Sequence, residues 1–377
     1  MKNFIEAHKA EIYKTLEELC RIPAPSHYEH EKAEYCKKWL ENIGAKGVYI
    51  DDALNVIYPI NCEGSDKITV FTAHTDTVFP DTDSIPYEDD GTYIRSLGVG
   101  DDTASVVVLL YAAKYFIENG LSAPNGVMLV CNSCEEGLGN LKGTKQLFKD
   151  YEGRIARFIS FDSNISSIAD RCVGSHRYEV EVFTEGGHSY GAFGNKNAIA
   201  ELSKIINEIY SIEVPHIDNS KTTYNVGGIS GGTSINTIAQ SAKMLCEYRS
   251  DNESCLSEMK AHFERIFNSA KERGIDLSVT LIGERPCMGN VDISKIDELK
   301  DICAKVIKET ANVNISTHSS STDCNIPLSL GIPALCIGVY EGGGAHTREE
   351  WIKKESVTVG LEIGIKAIES ILKEVEL

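Results

Sequence analysis

The chain has 377 residues, of which 42% are hydrophobic and 25% charged, and these proportions exclude a disordered, collagen-like or coiled-coil protein. Lys and Arg number 37 against 56 Asp and Glu, so the formal net charge of −19 disfavours nucleic acid and membrane surfaces as partners. At about 100–200 residues per domain, this length predicts two domains, or one large domain with an insertion. The composition favours an acidic cytoplasmic enzyme in which some carboxylates are grouped to hold cations.

The N-terminal segment is amphipathic and acidic and lacks the apolar core of a signal peptide. The sequence has no run of about 18 apolar residues, so we expect neither a signal peptide nor a membrane-spanning helix. The 12 cysteines have no regular spacing, and the CxxC of Cys131 and Cys134 lacks the second pair that a structural zinc site requires. We therefore expect reduced, mostly buried thiols, as in cytoplasmic proteins.

Apolar patterns predict alternating helices and strands over the first 172 residues. Two helices come first, separated where Pro23 and Pro25 remove backbone donors. Strands are then predicted over 48–50, 55–60, 68–73, 126–131 and 155–161, and helices over 104–117 and 141–148. This alternation predicts a sheet covered by helices on both faces, and such sheets bind ligands beyond the carboxyl ends of their strands.

The pattern changes near Cys172. Strands are predicted over 177–183, 222–229, 234–248 and 277–282, and helices over 197–210 and 255–273. The α/β pattern then resumes with a helix over 293–310, a strand over 333–339 and a helix from about Ser356. The sequence therefore predicts one α/β domain, formed by residues 1–172 and 287–377, with an inserted α+β domain at 173–286.

His74 and Asp76 follow the predicted strand over 68–73. Alternate side chains of a strand share one face, so the two side chains are expected to point the same way. A metal-binding His commonly has its second ring nitrogen held by a carboxylate, and the HxD spacing suits that arrangement. The alternative is a surface loop with two polar residues.

Two pairs of adjacent acids lie in glycine-containing loops. Asp101 and Asp102 either cap the helix that follows or supply a carboxylate that bridges two cations. Glu135 and Glu136 repel each other unless a cation or a proton separates them. A metal would take one of them and leave the other as a general base, and a solvated loop pair is the alternative.

Two further candidates complete the set, because Asp162 ends another predicted strand and His346 follows a glycine run. The candidate metal ligands, all in loops after strands, are His74, Asp101, Glu136, Asp162 and His346. Two histidines and three carboxylates fit a dinuclear zinc site in which the two ions share one carboxylate. Cobalt or manganese would also suit these ligands, because carboxylate-rich sites accept several divalent ions.

The motifs HTDTVFP, GVGDDTAS, EEGLGN, FD and GGAHTREE resemble those of the zinc-dependent aminoacylase/peptidase family. This family includes peptidase T, carboxypeptidase G, acetylornithine deacetylase and succinyl-diaminopimelate desuccinylase. The resemblance implies a zinc-exopeptidase-type α/β fold, with a mixed sheet, helices on both faces and an inserted α+β lid that forms a homodimer. It also implies that Asp101 bridges the two zinc ions, that His74 and Asp162 complete the ligands of one ion, and that Glu136 and His346 complete those of the other.

The resemblance assigns further roles. Asp76 matches the residue that orients the first histidine ligand, and Glu135 matches the general base that deprotonates the attacking water. In the insertion, EGGHSYGAFGNKNAI makes His188 the group that stabilises the tetrahedral oxyanion in the partner subunit. The GGTSINTIA segment makes Asn236 a substrate-binding candidate, and EYRSD makes Arg249 a bidentate clamp for a substrate carboxylate.

The sequence departs from the family pattern in two places. Thr103 and Ala104 stand where many members have Lys-Gly or Lys-Ala, and Asp102 is interpreted as a helix cap. The segment HSSSTDCN replaces the usual Gly-rich Thr/Ser-Asp segment, so two positions stay open for His318, one near the site and one on the surface.

EEGLGNLKG and the overall layout look most like peptidase T, so the prediction is an exopeptidase that hydrolyses an amide bond in di- and tripeptides. An N-acyl-amino-acid deacylase or carbamoylase is the alternative. An inactive binding protein on the same fold is a more remote one, because Glu135 and the ligand set are present.

Overall fold

The computed structural model describes residues 1–120 and 123–374. The chain divides into two compact units. One is formed by Met1–Cys172 together with the segment that begins at Gly289, and the other is Val173–Met288. Within the described ranges, no helix has both the length and the apolar character needed to cross a membrane. All 12 cysteines are buried, and the described residues form no disulfide.

The first unit begins with α1 (Lys2–Cys20), α2 (His30–Asn42), β1 (Tyr49–Ile50), β2 (Val56–Ile60), β3 (Ile68–His74), β4 (Glu88–Asp89), β5 (Tyr93–Arg95), α3 (Ser105–Asn119), β6 (Gly126–Asn132), α4 (Lys142–Asp150), β7 (Ile155–Phe161) and β8 (Ser167–Cys172). The second unit contains β9 (Gly174–Phe183), β10 (Gly187–His188), α5 (Ala198–Ile209), β11 (Thr222–Gly231), β12 (Thr237–Ile238), β13 (Ser241–Ser250), α6 (Glu253–Glu272) and β14 (Asp276–Arg285). The chain completes the first unit with α7 (Ile293–Ala311), β15 (Ser316–Ser320), α8 (Asn325–Ser329), β16 (Ala334–Ile337), β17 (Gly342–Gly343), β18 (Trp351–Lys353) and α9 (Ser356–Glu374).

The first unit is built on an eight-stranded mixed sheet with the strand order β1-β2-β6-β3-β7-β16-β8-β15. The central strands β6, β3, β7 and β16 run parallel to one another. Both β3 and β6 are buried along their whole length, which explains why their sequences are continuous apolar runs rather than alternating ones. The predicted mixed α/β fold is confirmed.

The order of the central strands decides where functional groups meet. β3 ends at His74, β6 ends three residues before Glu135, and β7 ends immediately before Asp162. Because parallel neighbours end at the same edge of the sheet, the loops after these three strands are adjacent. This edge is where open α/β sheets bind ligands.

The second unit has a four-stranded antiparallel sheet in the order β11-β13-β9-β14. Tyr178, Val180 and Val182 alternate along β9 with exposed or half-buried residues, and they form one core with apolar residues of α5 and α6. The strand predicted over 234–248 is wrong as a single element, since it forms β12 and β13. The carbonyls of Ala239 and Gln240 accept hydrogen bonds from loop and helix amides there, so the ladder is interrupted.

Candidate metal centre

Asp101 lies between the two histidines of the predicted ligand set. Its Oδ1 is 3.0 Å from Nε2 of His74, and its Oδ2 is 3.1 Å from Nε2 of His346. Nε2 of His346 is also 2.9 Å from Oε1 of Glu136. The two oxygens of Asp101 therefore each contact one of the two histidines.

The other candidate ligands join this arrangement. Ligand atoms come within 4.8 Å of one another in three groups, which are His74 with Asp102 and Asp162, His74 with Glu135 and Glu136, and Asp101 with Glu136 and His346. The groups share His74 and Glu136, so they form one continuous cluster that contains all five predicted ligands. Imidazole nitrogens and carboxylate oxygens are donors that zinc and related divalent ions accept, and the donor set therefore fits a divalent metal centre.

Burial and mutual repulsion raise the pKa values of carboxylates in the cluster. Burial raises the pKa of Glu136 to about 7, and the negative charges of Asp101 and Glu135 act in the same direction. Burial also raises the pKa of Asp162, again with a contribution from Asp101. Hydrogen bonds to Asp101 and Glu136 raise the pKa of His346 to about 10. Carboxylates that repel one another in this way are stabilised by a nearby cation.

Asp76 supports both the histidine and the glutamate pair. Nδ1 of His74 is 3.5 Å from Oδ1 of Asp76 and 3.1 Å from its carbonyl oxygen. The Asp76 carboxylate, which is fully buried, also accepts the backbone N–H groups of Glu135 and Glu136 at 2.9 Å each. The Ser26 hydroxyl donates to it at 2.6 Å. One carboxylate therefore links the orientation of His74 to the position of the predicted base.

Glu135 is 5% exposed and follows a residue with a left-handed backbone, Cys134, whose φ is 56°. The Cys134 N–H donates to Oε1 of Glu29 at 3.0 Å. Glu29 is fully buried, and its Oε1 also accepts a hydrogen bond from the Cys134 thiol at 3.2 Å. Glu29 and Asp76 thus hold the backbone on either side of the base. Sequence reasoning missed Glu29, because the Cys134 amide that it accepts lies 105 residues away in the sequence.

Glu350 holds the loop that carries Asp101. It is 2% exposed, and it accepts the N–H groups of Gly98, Gly100 and Asp101 at 2.7, 2.8 and 2.9 Å. The peptide bond between Asp101 and Asp102 is cis. The interpretation of Asp102 as a helix cap is wrong, because its Oδ2 accepts the backbone N–H of His74 at 3.0 Å rather than an amide of α3.

The segment that departs from the family pattern contributes a buried carboxylate, Asp323. Nδ2 of Asn132, the last residue of β6, donates to Oδ2 of Asp323 at 2.5 Å, and the Thr144 hydroxyl donates to Oδ1. Burial raises the pKa of Asp323 to about 7, and the charge of Glu135 adds to this. His318, from the same segment, is exposed on the edge strand β15 and lies 3.5 Å from the Ser167 hydroxyl.

In the second unit, the structure brings His188 and Asn236 together. His188 pairs with Thr237 in the β10–β12 ladder, and the Ser189 N–H donates to the carbonyl of Asn236 at 2.9 Å. The backbone N–H groups of Tyr190 and Gly191 donate to Nδ1 of His188 at 3.3 Å. Because Nδ1 accepts, the proton of a neutral His188 ring lies on Nε2, which is exposed as a donor.

Arg249 forms an ion pair with Glu247 of its own strand, β13. Its Nε and Nη2 donate to the two carboxylate oxygens of Glu247 at 2.8 and 3.0 Å. Arg177 donates to the same carboxylate from the neighbouring strand at 3.3 Å. The Arg249 side chain remains 36% exposed, so the structure shows an oriented guanidinium that already has one carboxylate partner.

The fold and the ligand cluster define a metal-dependent hydrolase of the α/β class. Residues 70–370 match the model of peptidase family M20/M25/M40, and the chain belongs to that family. It is 22% identical over 348 residues to succinyl-diaminopimelate desuccinylase of Corynebacterium glutamicum, an alignment that covers 90% of this chain and 91% of the relative. The family predicted from the motifs is confirmed, and so is the prediction of a metallohydrolase.

Solved structures share the same fold. Aminopeptidase PepT from Bacillus cereus ATCC 10987 superposes with a TM-score of 0.73 at 23% identity, over 96% of this chain and 98% of that protein. The YXEP protein of Bacillus subtilis, described as a dinuclear metal-binding peptidase of the M20 family, superposes with a TM-score of 0.66 at 14% identity, over 98% of this chain and 100% of that protein.

Proposed function

We propose that the protein is a dinuclear zinc exopeptidase that hydrolyses an amide bond in di- and tripeptides. The observation that carries the proposal is the position of Asp101, with one carboxylate oxygen at His74 and the other at His346. Asp162 would complete the ligands of the first ion and Glu136 those of the second. The similarity to a dinuclear metal-binding peptidase supports the number of ions, and cobalt or manganese would fit the same donors.

Glu135 is the proposed general base. Two divalent ions, when bound, lower the pKa of water and polarise a carbonyl group. Glu135 takes a proton from the attacking water and passes it to the leaving amine. Its place next to the cluster is fixed through its own N–H, which Asp76 accepts, and through Cys134, which Glu29 holds. This support keeps the carboxylate aligned while it gains and loses a proton.

The inserted unit is proposed to form a homodimer and to complete the active site of the partner. His188 presents Nε2 as a donor, which is the protonation that stabilises an oxyanion. Asn236, which lies beside His188, is the proposed second polar contact to substrate. Arg249 is the proposed clamp for the free carboxylate of the substrate, and Glu247 holds its guanidinium in orientation.

An N-acyl-amino-acid deacylase is the second candidate. It is favoured by the alignment with a desuccinylase over nine-tenths of the chain. Both candidates hydrolyse an amide near a free carboxylate, so they differ in the acyl group, which is an aminoacyl group in a peptide and a simple acyl group in an N-acyl amino acid. The peptidase is preferred because the EEGLGNLKG segment resembles peptidase T and the fold is similar to that of an aminopeptidase PepT. We expect the enzyme to act in the cytoplasm, where its cysteines stay reduced.

A substrate panel tests the proposal. The zinc-loaded protein is assayed on di- and tripeptides and on N-acetyl, N-succinyl and N-carbamoyl amino acids, next to Glu135→Gln as a matched control. Turnover of peptides by the wild type, reduced about 10²–10⁴-fold in Glu135→Gln, is the expected result. Turnover restricted to N-acyl amino acids would select the deacylase instead. Equal rates for the two proteins would show that Glu135 is not the base.

A further inference from the structure

Lys32 is a buried charge to which the proposed chemistry gives no role. Only 2% of the residue is exposed. It lies on the buried face of α2, one turn before Cys36 and two turns before Leu40. Lysine is almost never fully buried unless its ammonium group has a partner. We therefore expect the ammonium group of Lys32 to have a buried partner.

The Lys32 ammonium reaches the loop that carries the bridging carboxylate. Its Nζ donates to Oγ1 of Thr103 at 3.3 Å. The Thr103 N–H donates to the carbonyl of Gly98 at 3.1 Å and closes the loop into a turn. Glu350 accepts the N–H groups of Gly98 and Asp101 from the other side. A buried cation and a buried carboxylate thus hold the two ends of the turn, and Asp101 lies between them.

Burial and the neighbouring groups act in opposite directions on the pKa of Lys32, and burial is the larger effect. Burial lowers the pKa of Lys32, whereas Cys20, Cys36, Asp76 and Asp102 act in the opposite direction. Burial raises the pKa of Cys20 to about 12, so this thiol is neutral near pH 7. Asp76 and Asp102 are the carboxyl groups among these neighbours. Each of them also contacts His74, one of the predicted metal ligands.

We propose that Lys32 is a positioning residue for the metal centre. Its ammonium holds Thr103 and fixes the turn that presents Asp101 to the two histidines. The inference rests on the proposed ligand role of Asp101. It also gives Thr103, to which the sequence assigns no role, the function of an acceptor for a cation from a distant helix.

Four variants test this inference: Lys32→Met, Thr103→Val, the double variant, and Lys38→Met as a control for an exposed lysine on the same helix. Zinc affinity is measured by competition with a chromophoric chelator, and the urea midpoint of the metal-free protein is measured by tryptophan fluorescence. Lys32→Met should weaken zinc binding about 10–100-fold, the usual effect of losing a residue that supports a metal ligand. Lys38→Met should leave it unchanged.

Thr103→Val should lower the urea midpoint more than Lys32→Met, because it leaves a buried charge without its acceptor. Adding Lys32→Met to Thr103→Val should then restore the midpoint toward that of Lys32→Met alone. Unchanged zinc affinity in Lys32→Met, additive losses in the double variant, or a double variant that does not fold would overturn the proposal. If Lys32→Met weakened zinc binding but the wild type hydrolysed no peptide, the proposed function would be refuted and the role of Lys32 would stand.

Discussion

Glu350 supports the loop of Asp101, the proposed bridging carboxylate, and this support leads to a prediction for Glu350→Gln. The glutamine keeps one oxygen, which can accept from Gly100 and Asp101 as Oε1 does now. Its amide group would face the Gly98 N–H, where the carboxylate accepts at 2.7 Å. A buried donor left unsatisfied costs about 1–3 kcal/mol, and this is the expected loss in the free energy of unfolding. The displaced turn should also lower activity, since a shift of about 1 Å can cost 10²-fold.

Both tryptophans of the chain, Trp39 and Trp351, lie in the first unit, so their fluorescence follows the unfolding of that unit in urea. Glu349→Gln is the matched control, because Glu349 is exposed next to Glu350. The control should unfold as the wild type does and keep its zinc affinity. If Glu350→Gln also matched the wild type in unfolding, zinc affinity and turnover, the three hydrogen bonds would have no role in holding the centre.

Two further predictions concern the inserted unit. His188→Ala should lower kcat about 10²–10³-fold at constant metal content, the usual effect of losing an oxyanion donor. When the His188→Ala and Glu135→Gln proteins are mixed, activity should reappear as their subunits exchange. Mixed dimers that stay inactive would show that His188 has no role in the partner's site. Arg249→Ala should narrow the difference in rate between free and C-terminally amidated peptides. A wild type that cleaves both forms equally would remove the clamp.

The sequence is informative where apolar strands end. The runs of β3, β6 and β7 are unambiguous because these strands are buried on both faces, so the polar residues after them stand out. Parallel neighbours end at one edge, which is why the sequence alone groups His74, Glu136 and Asp162. The short edge strand β15, with the sequence STHSS, has no apolar alternation and was not predicted.

The residues that hold the candidate site in place were harder to predict from the sequence. Glu29, Glu350 and Asp323 act on amides or side chains that are 105 to 252 residues away, and no local pattern encodes such contacts. Lys32 is the exception, because a charged residue on the apolar face of α2 is visible in the helical spacing. A charge at a core position of an amphipathic helix is therefore a signal that a buried partner is present.

We propose above all that Asp101 and four further side chains, those of His74, Glu136, Asp162 and His346, hold two divalent ions. The most direct measurement is the metal content of the purified protein after zinc loading and removal of excess ion, by elemental analysis, for the wild type and Asp101→Ala. The account predicts two zinc ions per chain in the wild type and a clear loss in Asp101→Ala, because both ions share this carboxylate. A wild type that binds no zinc after loading, or an Asp101→Ala variant that retains two ions, would contradict it.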